Sequence, residues 1–487
     1  MRAETFFMPA RLLFVAAVFA GTAACVTNPV TGKRQLTSVS AEEEARAGAQ
    51  AHPKIIAAFG GVYDDPAIGV YVAQVAGQLA KASGRAVSYR VTVLDSPVVN
   101  AFALPGGYVY VTRGLLALVD DEAQLASVLG HEIGHVDARH SAQRQTAAMG
   151  ASVLGAVLGA VVGSQAVSQV VGMGGQGLLA SYSRDQEYEA DALGVNAITL
   201  AGYDPYASAA FLEKMGAEEA VNAQIAKAER EGSKADWLAS HPATPDRVSA
   251  AKTHAAETGV QSGLQSGRRR EPYLDAINGM IYGDSPLHGM VRGRDFVHSV
   301  QGFAFTAPRG FTLINTPQAV GIQGANKTIA KFDAVQKSAH LDIETYLVSG
   351  WGAQVQLSSV SKFSIGGFRA ASAWTRIGSY DARLVAIEFS PTDVYRFLIG
   401  VLPQARGTHE EALDQMVLSF RRLIGREAAE AKPYRIRIVT VAPGETVGEL
   451  ASRMALPDLR ELRFRVLNGL SAEAKLLPGQ RVKLIMQ

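Results

Sequence analysis

Apolar residues recur along this chain with two different periods, and the changes of period mark its elements. Ile55, Ile56, Ala58 and Phe59 open a helical pattern. Ile68, Val72, Val75 and Leu79 then recur at steps of four, three and four, which places them on one helical face. At Val87 the period drops to two: Val87, Tyr89, Val91 and Val93 share one side of a strand running to Leu94. Ala101 to Leu104 and Tyr108 to Thr112 flank Pro105-Gly106-Gly107, which predicts a hairpin. Asp121, with Gln124 three residues on, can box the start of a long helix running to about Ser141. Further helical units begin near Arg184 and span Tyr206 to about Glu231.

Beyond a Gly-, Ser-, Gln- and Arg-rich linker at 259–275 the texture turns to β. Leu341 to Val348 alternates in part, and Arg383 to Phe389 and Tyr395 to Val401 are rich in β-branched and aromatic residues. Thr408 and Glu411 form a capping-box pattern ahead of Leu413, Met416, Val417 and Phe420. The block 276–428 therefore reads as an α+β domain, and its His288, His298 and His340 have no ligand spacing. Residues 434–487 read strand, turn, helix, helix, turn, strand.

One stretch invites a different interpretation. From Gln145 to Ser183 there is no charged residue, but the longest purely apolar piece is only Val153 to Gly163. That is short of the ~20 residues a membrane span needs. Ser164, Gln165, Ser168 and Gln169 follow it, then Gly172, Gly174, Gly175 and Gly177. The expectation is a helix and a mobile loop packed on the helical region rather than a span, close to the candidate chemistry described below.

The chain has 487 residues, enough for two to four domains. Its net charge of +2 gives no basic excess to attract nucleic acid. Its single cysteine excludes an internal disulfide, and the position of Cys25 is informative. Arg2 and Arg11 precede an apolar core from Leu12 to Gly21, and the small residues Thr22-Ala23-Ala24 lead into Cys25. That is an export signal, and it resembles a bacterial lipobox with Thr22 in place of the usual Leu. An ordinary signal peptide cut near Ala24 is the alternative. Residues 1–25 thus read as a signal peptide with lipidation at Cys25, and polar residues 26–45 as a tether.

The candidate chemistry lies in His131-Glu132-Ile133-Gly134-His135. On a helix, i and i+4 share a face, so both imidazoles can grip Zn²⁺ at about 2.0–2.1 Å, with Glu132 beside the metal as proton acceptor. A catalytic zinc needs a third protein ligand. Glu187 and Asp191 are again i, i+4. Glu187 can ligate, and Asp191 can accept a hydrogen bond from a ligand imidazole. Glu189 is the rival ligand, about 200° round the helix from Glu187, so the two cannot both face the metal. His140, nine residues after His131, falls on the far side of the long helix and reads as structural.

HEIGHVDARH followed by SRDQEYEAD resembles the HtpX and CAAX-prenyl-protease type of zinc metallopeptidase, and within it the envelope lipoprotein branch that includes BepA and LoiP. NPVTGKRQL at 28–36, NAFALPGGYVYVTRGLL at 100–116 and SHPATPDRV at 240–248 carry the same resemblance, which covers roughly residues 26–255. The helical repeats found in BepA-like proteins are not evident in the sequence. The resemblance implies His131, His135 and Glu187 as ligands of one Zn²⁺, Glu132 as base, Asp191 behind a ligand, and His241 and Arg247 lining the site. His241 becomes the best oxyanion donor. It could also occupy the zinc's fourth position at rest, so the expectation is His241 close to the metal site in the unliganded protein.

The resemblance further implies a mainly α, zincin-type (gluzincin-like) peptidase domain with a small β-sheet over 46–258. The α+β domain and a small βααβ domain at 434–487 follow it. The last resembles a LysM module, with Glu445 for the more usual Asp, which suggests peptidoglycan as a partner. The implied protein is an endopeptidase facing the periplasm, held to the outer membrane through Cys25. Its substrates are unfolded or misassembled envelope proteins, which could pair with the strand around Asn100 to Leu104. The alternative class is a non-catalytic holdase or wall-binding scaffold with an idle metal site.

Overall fold

The computed structural model describes residues 24–28, 30–37, 39–83, 87–146, 182–229, 241–263 and 265–487. The apolar signal core before Cys25 and the Gly-rich run between Gln145 and Ser183 lie almost wholly outside the described residues.

The chain first forms a hairpin, β1 (Ala24–Thr27) on β2 (Arg34–Thr37), pairing Cys25 with Leu36. Helix α1 (Ala41–Ala58) follows, started by a Ser40–Glu43 capping box. The segment read as a tether is therefore folded. Asn28 is buried, and its amide donates to Asp137 O at 2.9 Å.

Helix α2 (Pro66–Ala82) buries the expected Ile68, Val72, Val75 and Leu79, and Asp65 caps it. A three-stranded sheet follows. β3 (Arg90–Leu94) runs parallel to β5 (Tyr108–Thr112), and β4 (Ala101–Leu104) pairs antiparallel with β5 as its hairpin partner. Short α3 (Arg113–Leu118) leads to α4 (Glu122–Asp137), every residue of which is buried. Helices α5 (Arg184–Leu200), α6 (Ala207–Glu229), α7 (Pro245–Glu257) and α8 (Arg270–Ile277) complete this helical region.

The three arginines of the segment read as a linker all meet residues 120–122, at the start of α4. Arg268 bonds Asp121 at 2.8 Å, Arg269 bonds Glu122 at 3.0 Å, and Arg270 donates to Asp120 O at 2.9 Å. Carboxylates pair with Arg268 and Arg269, and all three contacts pin the segment to the start of α4.

After β6 (Ile281–Tyr282) comes a β-rich region built from two antiparallel sheets. The smaller has β7 (Met290–Arg292), β8 (Asp295–His298), β9 (Phe303–Thr306) and, later, Arg421–Arg422. The larger has seven strands from Thr312–Asn315 to Asp393–Val401. An aromatic core of Phe303, Phe305, Phe332, Phe397 and Phe420 fills the space between them.

Two local expectations need correction here. Leu341 to Val348 is not a strand, because Asp342 accepts from Glu344 N and Thr345 N and starts a helical turn that continues to Trp351. Helix α9 (Arg406–Leu418) buries Leu413, Met416 and Val417 as expected. It starts before Thr408, with no side-chain cap.

The tail folds in the expected order: β10 (Tyr434–Thr440), α10 (Val447–Ser452), α11 (Arg460–Leu467) and β11 (Arg481–Met486). β6 adds to its sheet edge, and its core is continuous with that of the helical region. Among the described residues no helix is long and apolar enough to cross a membrane.

Candidate metal centre

The site is set by how closely α4 approaches α5. Gly130 and Gly134 lie one turn apart on α4 and face Ala190 and Gly194, one turn apart on α5. A Cβ on Gly134 would stand 3.0 Å from Ala190 O, and one on Gly194 would stand 3.0 Å from His131 N. Only small residues allow this backbone contact, and it carries His131 and His135 onto Glu187 and Asp191.

Atoms of His131, His135, Glu187 and His241 able to bind a metal lie within 4.8 Å of one another, and all four residues are buried. His131 Nε2 is 3.0 Å from His135 Nε2 and 3.6 Å from Glu187 Oε2. His135 Nε2 is 3.5 Å from Glu187 Oε1, and His241 Nδ1 is 2.9 Å from the same oxygen. Donors placed tetrahedrally at about 2.0–2.1 Å from zinc stand about 3.3 Å apart, so this donor set fits that ion.

The supporting contacts fix which atoms face inward. His131 Nδ1 lies 2.9 Å from Asp191 Oδ1, leaving Nε2 for the cluster. Arg247 grips Asp191 through Nε and Nη2, both at 2.8 Å, and its Nη1 reaches Glu187 Oε2 at 2.7 Å and Pro242 O at 2.9 Å. Arg247 thus ties Glu187 and Asp191 of α5 to the segment that carries His241. Thr244 caps α7 and so holds Arg247 in its first turn.

Electrostatics agree with this arrangement at the two carboxylates and at His135, whereas at His131 burial opposes the charged ring and the Asp191 hydrogen bond outweighs it. Burial pushes Glu187 upward, but the imidazoles of His135 and His241 beside it hold it well below the usual carboxylate range, so it stays anionic. Burial opposes ionisation of Asp191 too, and the Arg247 and His131 hydrogen bonds outweigh it. For His135, burial followed by the charge of His131 pushes the imidazolium far down, leaving the neutral ring a metal requires.

Glu132 is fully buried, with Oε1 3.7 Å from His241 Nε2. All the anticipated site residues except Cys25 therefore gather in one place. Cys25 lies on β1, paired by backbone to Leu36.

The sequence reading erred on His140. Helix α4 stops at Asp137, and Arg139 takes a left-handed conformation with φ 58°. Arg139 is held there by Glu44 at 3.2 Å and Val39 O at 2.6 Å. The reversal returns His140 to His135, Nδ1 to Nδ1 at 2.8 Å. The sequence reading also missed Tyr182, whose ring stacks on His135 at 3.8 Å between centroids. Arg144 lies over that ring at 3.9 Å. No periodicity marks Tyr182, which precedes the Ser183 cap of α5.

Two imidazoles one turn apart with a glutamate between them, joined by a second helix's carboxylate, define a metallopeptidase centre. Residues 67–255 match the model of Peptidase family M48. The chain is similar to the mitochondrial metalloendopeptidase OMA1 of Schizosaccharomyces pombe, 29% identical over 45% of this chain and 63% of that protein. It is similar to the Arabidopsis thaliana OMA1, 35% identical over 27% of this chain and 26% of that one. It is also similar to the beta-barrel assembly-enhancing protease of Yersinia pestis, 30% identical over 39% of this chain and 40% of that protein. The matches thus span less than two thirds of each of these relatives.

Proposed function

We propose that the chain is a zinc-dependent endopeptidase of the bacterial cell envelope that cleaves unfolded or misassembled envelope proteins. The observation that carries this reading is the buried His131–His135–Glu187–His241 cluster with Glu132 beside it. Zinc bound there would polarise the scissile carbonyl and make the attacking water more acidic. Glu132 takes the water's proton and passes it to the leaving amine. His241 Nε2, on the same side as Glu132, is the donor for the oxyanion.

At rest this machinery is closed. Glu132 and His241 are buried, and His241 bonds Glu187 within the ligand set. Substrate entry therefore requires a rearrangement around Glu132 and His241, which supports a latent resting enzyme. The relative named for β-barrel assembly supports outer-membrane proteins as the substrate class. The reading also includes a zincin-type, gluzincin-like fold, a lipid anchor at Cys25, outer-membrane attachment and a LysM-like tail with affinity for peptidoglycan. The apolar run before the sole cysteine and the βααβ order of the tail support these parts.

The test is Glu132→Gln, assayed for zinc content and casein cleavage. The variant should keep its zinc and lose cleavage by a factor of roughly 10² or more. Normal turnover in that variant would sink the mechanism.

A further inference from the structure

We propose that His140 is the residue that fixes His135 as a metal ligand, and that Glu189 in turn sets the tautomer of His140; this rests on the metal site proposed above. The argument starts from a constraint on protons. A ring that offers Nε2 to a metal must carry its proton on Nδ1. His135 Nδ1 meets a single side-chain nitrogen, His140 Nδ1, at 2.8 Å, so His135 donates and His140 accepts. A neutral His140 accepting at Nδ1 must hold its own proton on Nε2. That atom faces Glu189 Oε2 at 3.1 Å, and a carboxylate can only accept. The other oxygen, Glu189 Oε1, meets Lys33 Nζ at 2.8 Å. Each ring N–H along the chain from His135 to Glu189 thus has an acceptor, and the Lys33 ammonium lies beside the last carboxylate.

The same logic appears on the other ligand. His131 donates through Nδ1 to Asp191, and Arg247 backs that carboxylate. His135 donates to His140, which Glu189 and Lys33 back. Both imidazoles thus rest on a carboxylate and a cation, one directly and one through an inserted histidine. The helical phase of α5 explains the difference. Glu187 and Glu189 point to nearly opposite sides, so Glu187 takes the Nε2 side of His135 while Glu189 reaches its Nδ1 side through His140. The left-handed Arg139 makes this possible by turning the chain after α4.

His140 is therefore a positioning residue, and its effect is read on metal binding rather than on turnover. The zinc dissociation constant is measured by chelator competition for the wild-type chain, His140→Phe, His140→Asn and Glu189→Gln. His140→Phe keeps a ring but no acceptor, and should weaken zinc by about 10- to 100-fold, the usual range for groups behind a ligand. His140→Asn places a carbonyl oxygen where Nδ1 was and should restore most of that loss. Glu189→Gln should weaken zinc by a smaller factor. Histidine ¹⁵N spectra of the metal-free wild type should show the His135 proton on Nδ1. If His140→Phe does not fold, Glu189→Gln and the spectrum carry the test. Wild-type affinity in every variant, or a His135 proton on Nε2, overturns the proposal. A loss confined to the His140 variants removes Glu189 from the chain. A wild-type protein that takes up no zinc overturns the metal reading and this one with it.

Discussion

Glu187 and Glu189 stand two residues apart on one helix, yet only Glu187 faces the three histidines of the cluster. The expected outcome follows directly. Glu187→Gln should emerge from gel filtration without most of its zinc, while Glu189→Gln should remain stoichiometrically loaded though with weaker affinity. Metal analysis of the two purified variants checks this, and a reversed pattern would exchange their roles. At this scale much of the site was legible, because each ligand pair obeys the i, i+4 rule that fixes a helical face. His131, His135, Glu187 and Asp191 could be phased from the sequence alone. His241 and Arg247 could not, since they come from a separate segment and only family resemblance pointed to them. His140 was misread for a physical reason. Its place depends on a left-handed arginine held by Glu44 and Val39 O, contacts from nearly a hundred residues earlier that no local pattern encodes.

Between elements, the decisive contact is α4 against α5. Two glycines on one helix meet an alanine and a glycine on the other, and the backbones touch with no side chain between them. Gly194→Val is the informative change. Its branched side chain would press on the backbone of Gly130 and His131. Overpacking of this kind costs about 1–3 kcal/mol, and here the relief is for the helices to part. Because His131 and Glu187 sit on the two separating faces, zinc affinity should fall along with stability. Urea denaturation and zinc titration of this variant check both, and full retention of zinc would show that the close contact does not set the ligand geometry. Helices with strong periodicity, such as α2, were legible in the sequence. The turn at Asp342 was not, because a short run of mixed apolar residues suits strand or helix, and a single aspartate cap decided between them.

Across the whole molecule, the tail and the helical region share one apolar core, which no pattern within residues 434–487 could announce. Their junction is buried and charged. Lys483 is fully buried on β11, and its ammonium donates to Ala117 O at 3.0 Å, Leu118 O at 3.1 Å and Val119 O at 2.8 Å. These are carbonyls at the end of α3, where a helix leaves acceptors unsatisfied and its dipole favours a cation. Asp120 lies 3.6 Å from the same ammonium and also pairs with buried Lys214, which reaches across to Leu467 O at 3.3 Å. Burial and then the charge of Lys214 push the Lys483 ammonium well down, and Asp120 opposes them. Glu122, the first residue of α4, follows two positions after Asp120, so the tail's lysine holds the segment that launches the metal helix. Lys483→Met keeps the length of the side chain but removes its donors, leaving three carbonyls and part of a carboxylate's charge without their partner. Leaving a buried acceptor without its donor costs about 1–3 kcal/mol, more than losing an exposed pair would. Calorimetry should therefore show the helical region and the tail melting in one joint transition that Lys483→Met moves down as a unit, with zinc affinity falling beside it. A tail that melts in its own transition, leaving zinc binding untouched, would make residues 434–487 an appended module instead.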